Sequence, residues 1–361
     1  MSVAKLSEQL VQAGNEVSLY TTTANGNEEL DVSPNISVQV DGVEVIYFNR
    51  ITKDHSHLSP HLLISLWKNQ RQFDVIHVHA WWNLVSVFSV LIAVTKKVPL
   101  VISPRGTLSS YSFNYKNSIN KKLLHHLLGK YLLKRSYLHA TSVAEKKALL
   151  KLVKPVGIFD LPNFVKIAGI SQKKTKPGPI FKLLFFSRID EKKGLDILLH
   201  ALPKLKVPYH LTIAGDGNAD YLDLLKTIAH YNHTDEHITW MGFQNDNKFD
   251  IFSDHQLLVL PSHNENFGNV VIESLSAGTP VLISDQVGLA DYVVKNDLGW
   301  ICQTTAQSIS DAVNNIATDQ MDKLTEISDK APQIIHSDFE DERLVQKYMD
   351  MYQQIISHAR V

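Results

Sequence analysis

Short apolar runs rich in valine, isoleucine and leucine recur along this chain, and between them apolar residues return every three or four positions. That alternation predicts a parallel α/β sheet. A strand covered by helices on both faces is apolar throughout, whereas each covering helix is apolar along one stripe. In the first half the predicted strands are EVSLYT at 16–21, VEVIYF at 43–48, DVIHVHA at 74–80, PLVIS at 99–103 and YLHAT at 137–141. A polar segment without period, SQKKTKPGP at 171–179, then reads as a linker. Six further runs follow: KLLFFS at 182–187, HLTIAG at 210–215, HITWMG at 237–242, LLVLPS at 257–262, PVLIS at 280–284 and GWIC at 299–302. The expected architecture is two doubly wound domains, 1–168 and 169–337, facing each other across a cleft. Ligands would bind outside the carboxyl ends of the strands. A closing amphipathic helix, 338–361, is expected to return to the first domain.

The first domain opens out of order. A doubly wound sheet normally begins with a central strand and a glycine-rich turn, yet LSEQLVQAGNEVSLYT, 6–21, reads as a helix, a stop at Gly14 and then a strand. Two explanations stand beside the plain one that the fold starts on a helix: a natural chain beginning further upstream, or a gap at the central strand.

Composition narrows the function classes. With 361 residues the chain suits two domains of ordinary size. Its net charge of −1 gives no global pull toward nucleic acid or a polyanion. The single cysteine, Cys302, excludes an intrachain disulfide framework and a cysteine-rich metal site, and it fits a reducing cytoplasm. The opening MSVAKLSEQLVQAG has no apolar core of a signal peptide. The longest apolar run, LVSVFSVLIAV at 84–94, is too short to span a bilayer. A soluble or surface-bound protein is expected.

Chemistry concentrates in HNENFGNVVIESLSAGTPVLIS, 263–284. Glu265 lies in the loop after a strand, and Glu273 lies about one turn into the helix that follows. The start of that helix offers free N–H groups and the positive end of its dipole to ligand oxygens. A carboxylate that accepts two vicinal hydroxyls is a usual way to hold a ribose; the bland alternative is a solvated helix face and a surface loop. Arg188, just past a strand, and Lys193, just before a helix, could meet a diphosphate or simply decorate a solvated loop. Gly215 and Gly217 allow close main-chain approach at the next strand end.

The series FSRIDEKKGLDILLHAL, LTIAGDG, ITWMGF, VLPSHNENFGNVVIESLSAGTPVLIS and DERLVQKYMDMYQQII resembles the nucleotide-sugar-binding half of the retaining GT-B glycosyltransferases called glycosyl transferases group 1. GNEVSLYT, DVIHVHAWW, VPLVISPRGTLS, LHATSVAEKKAL and LPNFV resemble the other half more weakly, and SPRGTLS is similar to members that build cell-surface polysaccharides such as lipopolysaccharide. The resemblance implies that Arg188 and Lys193 bind the donor diphosphate and stabilise its departing charge. It implies that Glu273 holds the ribose, and that Glu265, with the main chain of Phe267, Gly268 and Asn269, holds the sugar. The base would lie near Gly242 and Phe243. His79 matches the family's cleft histidine on the acceptor side. His77, one step deeper on the same strand face, reads as a satisfied core histidine. Arg105 is a candidate for the acceptor or a phosphate, with a structural ion pair as the alternative.

No residue stands out as a covalent nucleophile, and the two glutamates are placed to bind the donor rather than to flank a bond as in glycosidases. The resemblance implies front-side attack, with the leaving phosphate taking the acceptor's proton. No Asp-X-Asp run offers a metal bridge, and no cofactor is implied beyond the nucleotide-sugar substrate. Between Tyr111 and Ala144 the only charged residues are basic: Lys116, Lys121, Lys122, Lys130, Lys134 and Arg135. INKKLLHHLLGKYLLKR, 119–135, carries an apolar face of Ile119, Leu123, Leu124, Leu127, Leu128, Tyr131 and Leu132, which either packs into the domain or meets an anionic membrane. The expected function is sugar transfer from a nucleotide diphosphate to a saccharide or lipid-linked saccharide, at the inner face of the membrane. The alternative is a truncated or catalytically impaired nucleotide-sugar-binding protein.

Overall fold

The computed structural model describes residues 2–26, 28–52, 54, 56–109, 112, 122–169 and 178–359. Most of the expected linker at 171–179, and the start of the basic helix with Lys116, Ile119 and Lys121, lie outside them. The chain forms two compact units, Met1–Phe164 with Asp341–Val361, and Val165–Glu340.

Unit 1 begins with α1 (Ser2–Gln12). The helix stops where Gly14 takes φ +85° and Asn15 caps the Leu10 carbonyl with both its main-chain and its side-chain N–H. The strands β1 (Ser18–Thr22), β2 (Ala24–Asn25), β3 (Glu28–Glu29), β4 (Ser37–Val40) and β5 (Val43–Phe48) follow. They form a sheet of order β1-β5-β4 and a small hairpin β2-β3; β1 runs parallel to β5 and β4 antiparallel to it. After α2 (Pro60–Asn69), the strands β6 (Ile76–His79), β7 (Leu100–Ser103), β8 (Tyr137–Ala140) and β9 (Gly157–Asp160) make a parallel sheet in that order. Between them run α3 (Leu84–Lys96), α4 (Lys130–Leu133) and α5 (Val143–Leu152). Trp81, Val90, Ile102, Leu132, Leu133 and Leu138 are fully enclosed in the core of this sheet. Between β1 and β6 lies a cavity of about 530 Å³, lined by every residue of both strands.

Unit 2 alternates without omission: β10 (Phe181–Phe186), α6 (Leu195–Ala201), β11 (Tyr209–Ala214), α7 (Ala219–Tyr231), β12 (Ile238–Gly242), α8 (Lys248–Ser253), β13 (Leu257–Leu260), α9 (Asn269–Ser276), β14 (Val281–Ser284), α10 (Ala290–Lys295), β15 (Gly299–Cys302), α11 (Ala306–Asp319) and α12 (Met321–Phe339). All six strands are parallel, in the order β12-β11-β10-β13-β14-β15. Counted along the unit that is 3-2-1-4-5-6, the doubly wound order, with its switch point between β10 and β13. Every residue of β13 and β14 is buried, as strands covered on both faces must be.

At Glu340 the backbone leaves the helical region (ψ 133°), and α13 (Asp341–Ala359) belongs to unit 1. It buries Leu344, Tyr348, Met351, Tyr352 and Ile355, and Tyr348 packs on Phe164 and His139. Burial of such side chains contributes about 1.5–3 kcal/mol each, so together they rival the whole stability of an ordinary domain, about 5–15 kcal/mol. A chain ending at Glu340 should therefore lose the calorimetric transition of unit 1 and keep that of unit 2. Retention of both transitions would show that α13 is dispensable.

Candidate functional site

In unit 2 the loops that leave β10 and β13 diverge at the switch point, and main-chain bonds then join them. His263 N–H donates to the Lys192 carbonyl at 2.8 Å. Gly194, at φ +70°, lies so close to Pro261 that a Cβ would stand 2.2 Å from its carbonyl oxygen. Lys193 ends a single 3₁₀ turn capped by Asp190 and forms a close ion pair with Glu265, both side chains being largely buried. The loop carrying Glu265 is fixed in turn to the loop after β14, with Glu265 N–H on the Gln286 carbonyl and Gly288 N–H on the Glu265 carbonyl.

Gly268 then opens α9 in the left-handed region (φ +92°), and Phe267 turns inward against Phe339. The Phe267 side chain is thus packed away, and Asn269 at the head of α9 is partly exposed. Glu273, in the second turn of α9, is bonded to Lys248 of α8 at 2.8 Å in a nearly buried pair. Each carboxylate thus has its own ammonium. Such a pair breaks expensively if one partner is removed, so both carboxylates are held in place.

The glycines at the end of β11 stand against main chain. A Cβ on Gly215 would lie 1.9 Å from the Ser187 carbonyl oxygen, and one on Gly217 would lie 2.0 Å from that of Ile189. This close approach is to the chain's own loop, through bonds from Ser187 to Ala214 and from Ile189 to Asp216. Gly242, at φ +68° with open space around it, accepts from Gly215 N–H, and the neighbouring Phe243 ring is 71% exposed. Arg188 stands apart from the ion pair: its guanidinium is exposed and grips Asp190 through two bonds.

In unit 1, His79 and Arg105 meet directly. Arg105 donates from Nε to His79 Nδ1 at 3.2 Å and from its other arm to Asn163 at 2.7 Å. Burial, then the charge of Arg105, holds the His79 imidazole well below its ordinary value, and burial likewise lowers the Arg105 guanidinium. Neutral His79 with Nδ1 accepting must carry its proton on Nε2.

The His77 ring stacks on His79 at 4.1 Å and belongs to a relay whose direction can be worked out. His139 Nε2 faces the Leu161 carbonyl at 2.8 Å, which can only accept, so Nε2 donates and Nδ1 takes the Ser103 hydroxyl proton at 2.6 Å. Ser103 then accepts from His77 Nε2 at 2.6 Å, and His77 Nδ1 accepts from the Tyr352 hydroxyl of α13 at 2.7 Å. Every step points the same way, from α13 through β6, β7 and β8 to Leu161. His77 is the satisfied core histidine that the sequence suggested.

Three features escaped sequence reasoning. Lys248 lies on a helix without a recognised motif. Glu145 is almost fully buried and accepts from Gly106 N–H at 2.7 Å and Thr141 N–H at 2.8 Å, tying together the loops after β7 and β8. Its signal was available: Ser142 caps the Glu145 N–H in the spacing of a capping box. The third is a correction. The helix at 122–135 does not bury its whole apolar face. Leu124, Leu128 and Leu132 pack inward, whereas Leu123, Leu127 and Tyr131 are exposed beside Lys122, Lys130, Lys134 and Arg135. The π turn at His125–Gly129 changes the angular spacing of its side chains. No described helix is long and apolar enough to cross a membrane.

Strand order and site geometry place the chain among proteins of the GT-B glycosyltransferase fold. It matches the structure of sucrose-phosphate synthase from Thermosynechococcus elongatus at a TM-score of 0.77 and 17% identity, over 99% of this chain and 93% of that one. An Anabaena protein solved in complex with UDP-glucose matches at a TM-score of 0.70 and 20% identity, over 87% of each. Residues 167–334 match the family model for glycosyl transferases group 1 and residues 1–168 that for glycosyltransferase family 4, and the chain belongs to the group 1 glycosyltransferases. An uncharacterized glycosyltransferase of Methanocaldococcus jannaschii is 28% identical over 140 residues, 38% of this chain, and the match spans 36% of that relative.

Two outcomes are expected. Burial pushes His139 down to about 4, so between its ordinary value and about 4 the unfolded chain binds the proton and the folded chain does not. Stability is whole above about pH 6.5 and falls with acidification by roughly 3 kcal/mol for this residue. Urea unfolding of unit 1 at pH 7 and pH 4 should show a smaller fall in His139→Gln; an equal fall would place the proton elsewhere. Gly217→Ala, blocked by the Ile189 carbonyl, should lower the stability of unit 2 by about 3 kcal/mol, and Gly242→Ala, strained only in φ, by about 1 kcal/mol. Equal losses in thermal melts would deny that steric account.

Proposed function

We propose that this protein is a retaining glycosyltransferase that moves a sugar from a nucleotide-diphosphate donor to a saccharide or lipid-linked saccharide in cell-surface polysaccharide synthesis. The observation that carries the reading is the joined pair Lys193 and Glu265 at the switch point of unit 2, beside the start of α9. A cation for phosphate, a carboxylate for sugar hydroxyls and the positive end of a helix then lie at one strand end. The Anabaena structure in complex with UDP-glucose, on the same fold, supports a uridine nucleotide as the first donor to try.

In this reading Lys193 and Arg188 receive the charge that develops on the diphosphate as its bond to the anomeric carbon breaks; Arg188 does so by leaving Asp190. Glu265 and the main chain of Phe267, Gly268 and Asn269 hold the sugar, Glu273 the ribose, and Gly242 and Phe243 border the base. The acceptor oxygen attacks from the face the phosphate leaves, and its proton passes to that phosphate. Neutral His79 offers Nε2–H to a sugar or acceptor oxygen, and Arg105 orients it. The two basic side chains supply the positive charge that a metal would otherwise bring.

We place the protein in the cytoplasm, in peripheral contact with an anionic membrane. Leu123, Leu127 and Tyr131 are spaced to share one helix face and are exposed among four cations. Each cation contributes about 1 kcal/mol near such a surface, so binding would be reversible. A second reading, a nucleotide-sugar-binding protein impaired in transfer, is favoured by one observation: His79 lines the cavity between β1 and β6.

Thermal shifts with UDP, GDP and ADP and their sugars test the proposal. A nucleotide at about 100 times its dissociation constant adds about 2.7 kcal/mol, raising the melting of unit 2 by roughly 5–10 °C. The shift should vanish in Glu273→Gln, read against that variant's own baseline. No shift with any nucleotide would remove the donor site. Turnover should persist in EDTA; its loss would overturn the metal-independent mechanism. Flotation with liposomes should require anionic lipid, and equal flotation with neutral lipid would remove the membrane contact.

A further inference from the structure

The strand β7 ends at Ser103, and the next four residues make a tight turn. Thr107 donates its N–H to the Pro104 carbonyl at 3.1 Å, and between them Arg105 and Gly106 take φ +52° and +78°. Positive φ at both central positions marks a type I′ turn, for which asparagine followed by glycine is the usual pair. An arginine at the first of them stands against its own backbone preference. What the position supplies is direction, for it sends Arg105 Nε to His79 Nδ1 at 3.2 Å and the other arm to Asn163 at 2.7 Å. The exit of the turn is held from the loop after β6, where the Trp82 indole N–H donates to the Thr107 carbonyl. Its middle is held by Glu145.

The Glu145 carboxylate, almost fully buried, divides its two oxygens. Oε2 stays at the start of its own helix, where it accepts the Thr141 N–H at 2.8 Å and the Thr141 hydroxyl at 3.0 Å. Oε1 crosses to the Gly106 N–H at 2.7 Å. A capping box asks only for the first kind of contact, the carboxylate turning back to the residues that open its helix. The second is surplus to the cap, and it falls on the residue next to Arg105. Hydrogen bonds to an ionised acceptor are the strong ones. Burial lowers the Arg105 guanidinium, and the Glu145 charge works against that shift.

We infer that Glu145 is a positioning residue for His79: by holding the left-handed turn through Gly106 it keeps Arg105 Nε on His79 Nδ1, and so keeps the His79 proton on Nε2. A ring nitrogen that accepts from a permanent donor cannot also carry the proton. Without that donor the two neutral tautomers compete. As a role in sugar transfer the inference rests on His79 offering Nε2–H, as proposed above; as a statement about the tautomer it does not. A role confined to the cap would make Glu145 matter to α5 and not to which nitrogen of His79 is protonated.

The test is nitrogen NMR of the histidine rings near neutral pH, with His79 assigned by its absence in His79→Gln. The parent chain should show His79 as the Nε2–H tautomer. In Glu145→Gln the amide has one acceptor oxygen for two loops, and the Nδ1–H population should rise by about tenfold, the weight of one hydrogen bond to a charged group. Ser142→Ala is the control: it removes the hydroxyl that accepts the Glu145 N–H at 3.1 Å and leaves the carboxylate in place. It should melt at a lower temperature and keep the parent's His79 spectrum. An unchanged His79 in Glu145→Gln would overturn the inference. So would an equal change in Ser142→Ala, which would assign the effect to loosening of α5. If Glu145→Gln does not fold, Glu145→Asp keeps the charge but is one methylene too short to serve both loops, and it gives the same readout, a tautomer change supporting the inference and none rejecting it. The donor reading fails separately, as a parent chain without a thermal shift in UDP, and the tautomer result stands either way.

Discussion

Between β10 and β13 the chain reverses the direction in which it lays down strands, and the geometry of unit 2 depends on that reversal. Crossover helices leave neighbouring strand ends toward opposite faces, so the loops after β10 and β13 part and a crevice must open there. What then fixes the crevice is main chain. Gly194, Gly215 and Gly217 let three loops touch at distances a side chain would forbid, and at that contact Lys193 and Glu265 form an ion pair.

Unit 1 solves a different problem. Its strand ends carry three histidines and an arginine in a buried setting, where any added proton is penalised. The hydrogen-bond chain from Tyr352 to Leu161 answers this by giving each ring nitrogen one role. Bonds aligned in one direction strengthen one another, and the His77 ring lies against that of His79, the histidine beside Arg105. The last helix of the chain is therefore part of this hydrogen-bond chain as well as of the core.

The strands of unit 2 were legible because its central strands are largely apolar and buried, β13 and β14 at every residue, which leaves an uninterrupted signal in the sequence. In unit 1, β4 was missed because its four residues are exposed on an edge, and β9 because Gly157–Asp160 is short and half-buried. The candidate site residues were readable as types at spacings, Glu265 and Glu273 above all. Their partners were not: Lys248 reaches Glu273 across 25 positions of sequence, and only packing brings it there. Gly215 and Gly217 announced a close approach in the sequence, and the structure shows one that the chain's own loop makes. The exposure of Leu123 and Leu127 was not legible because the apolar stripe is wider than the face that packs inward, Leu124, Leu128 and Leu132.

Unit 2 is one continuous stretch of chain, whereas unit 1 is closed by residues on both sides of it. During synthesis the order of completion is therefore inverted. The strands of unit 1 emerge first but must wait for α13, with the partners of Tyr348 and Tyr352 still open, while all of unit 2 is made and can fold as a unit. The half of the molecule that is born first is the last to be finished.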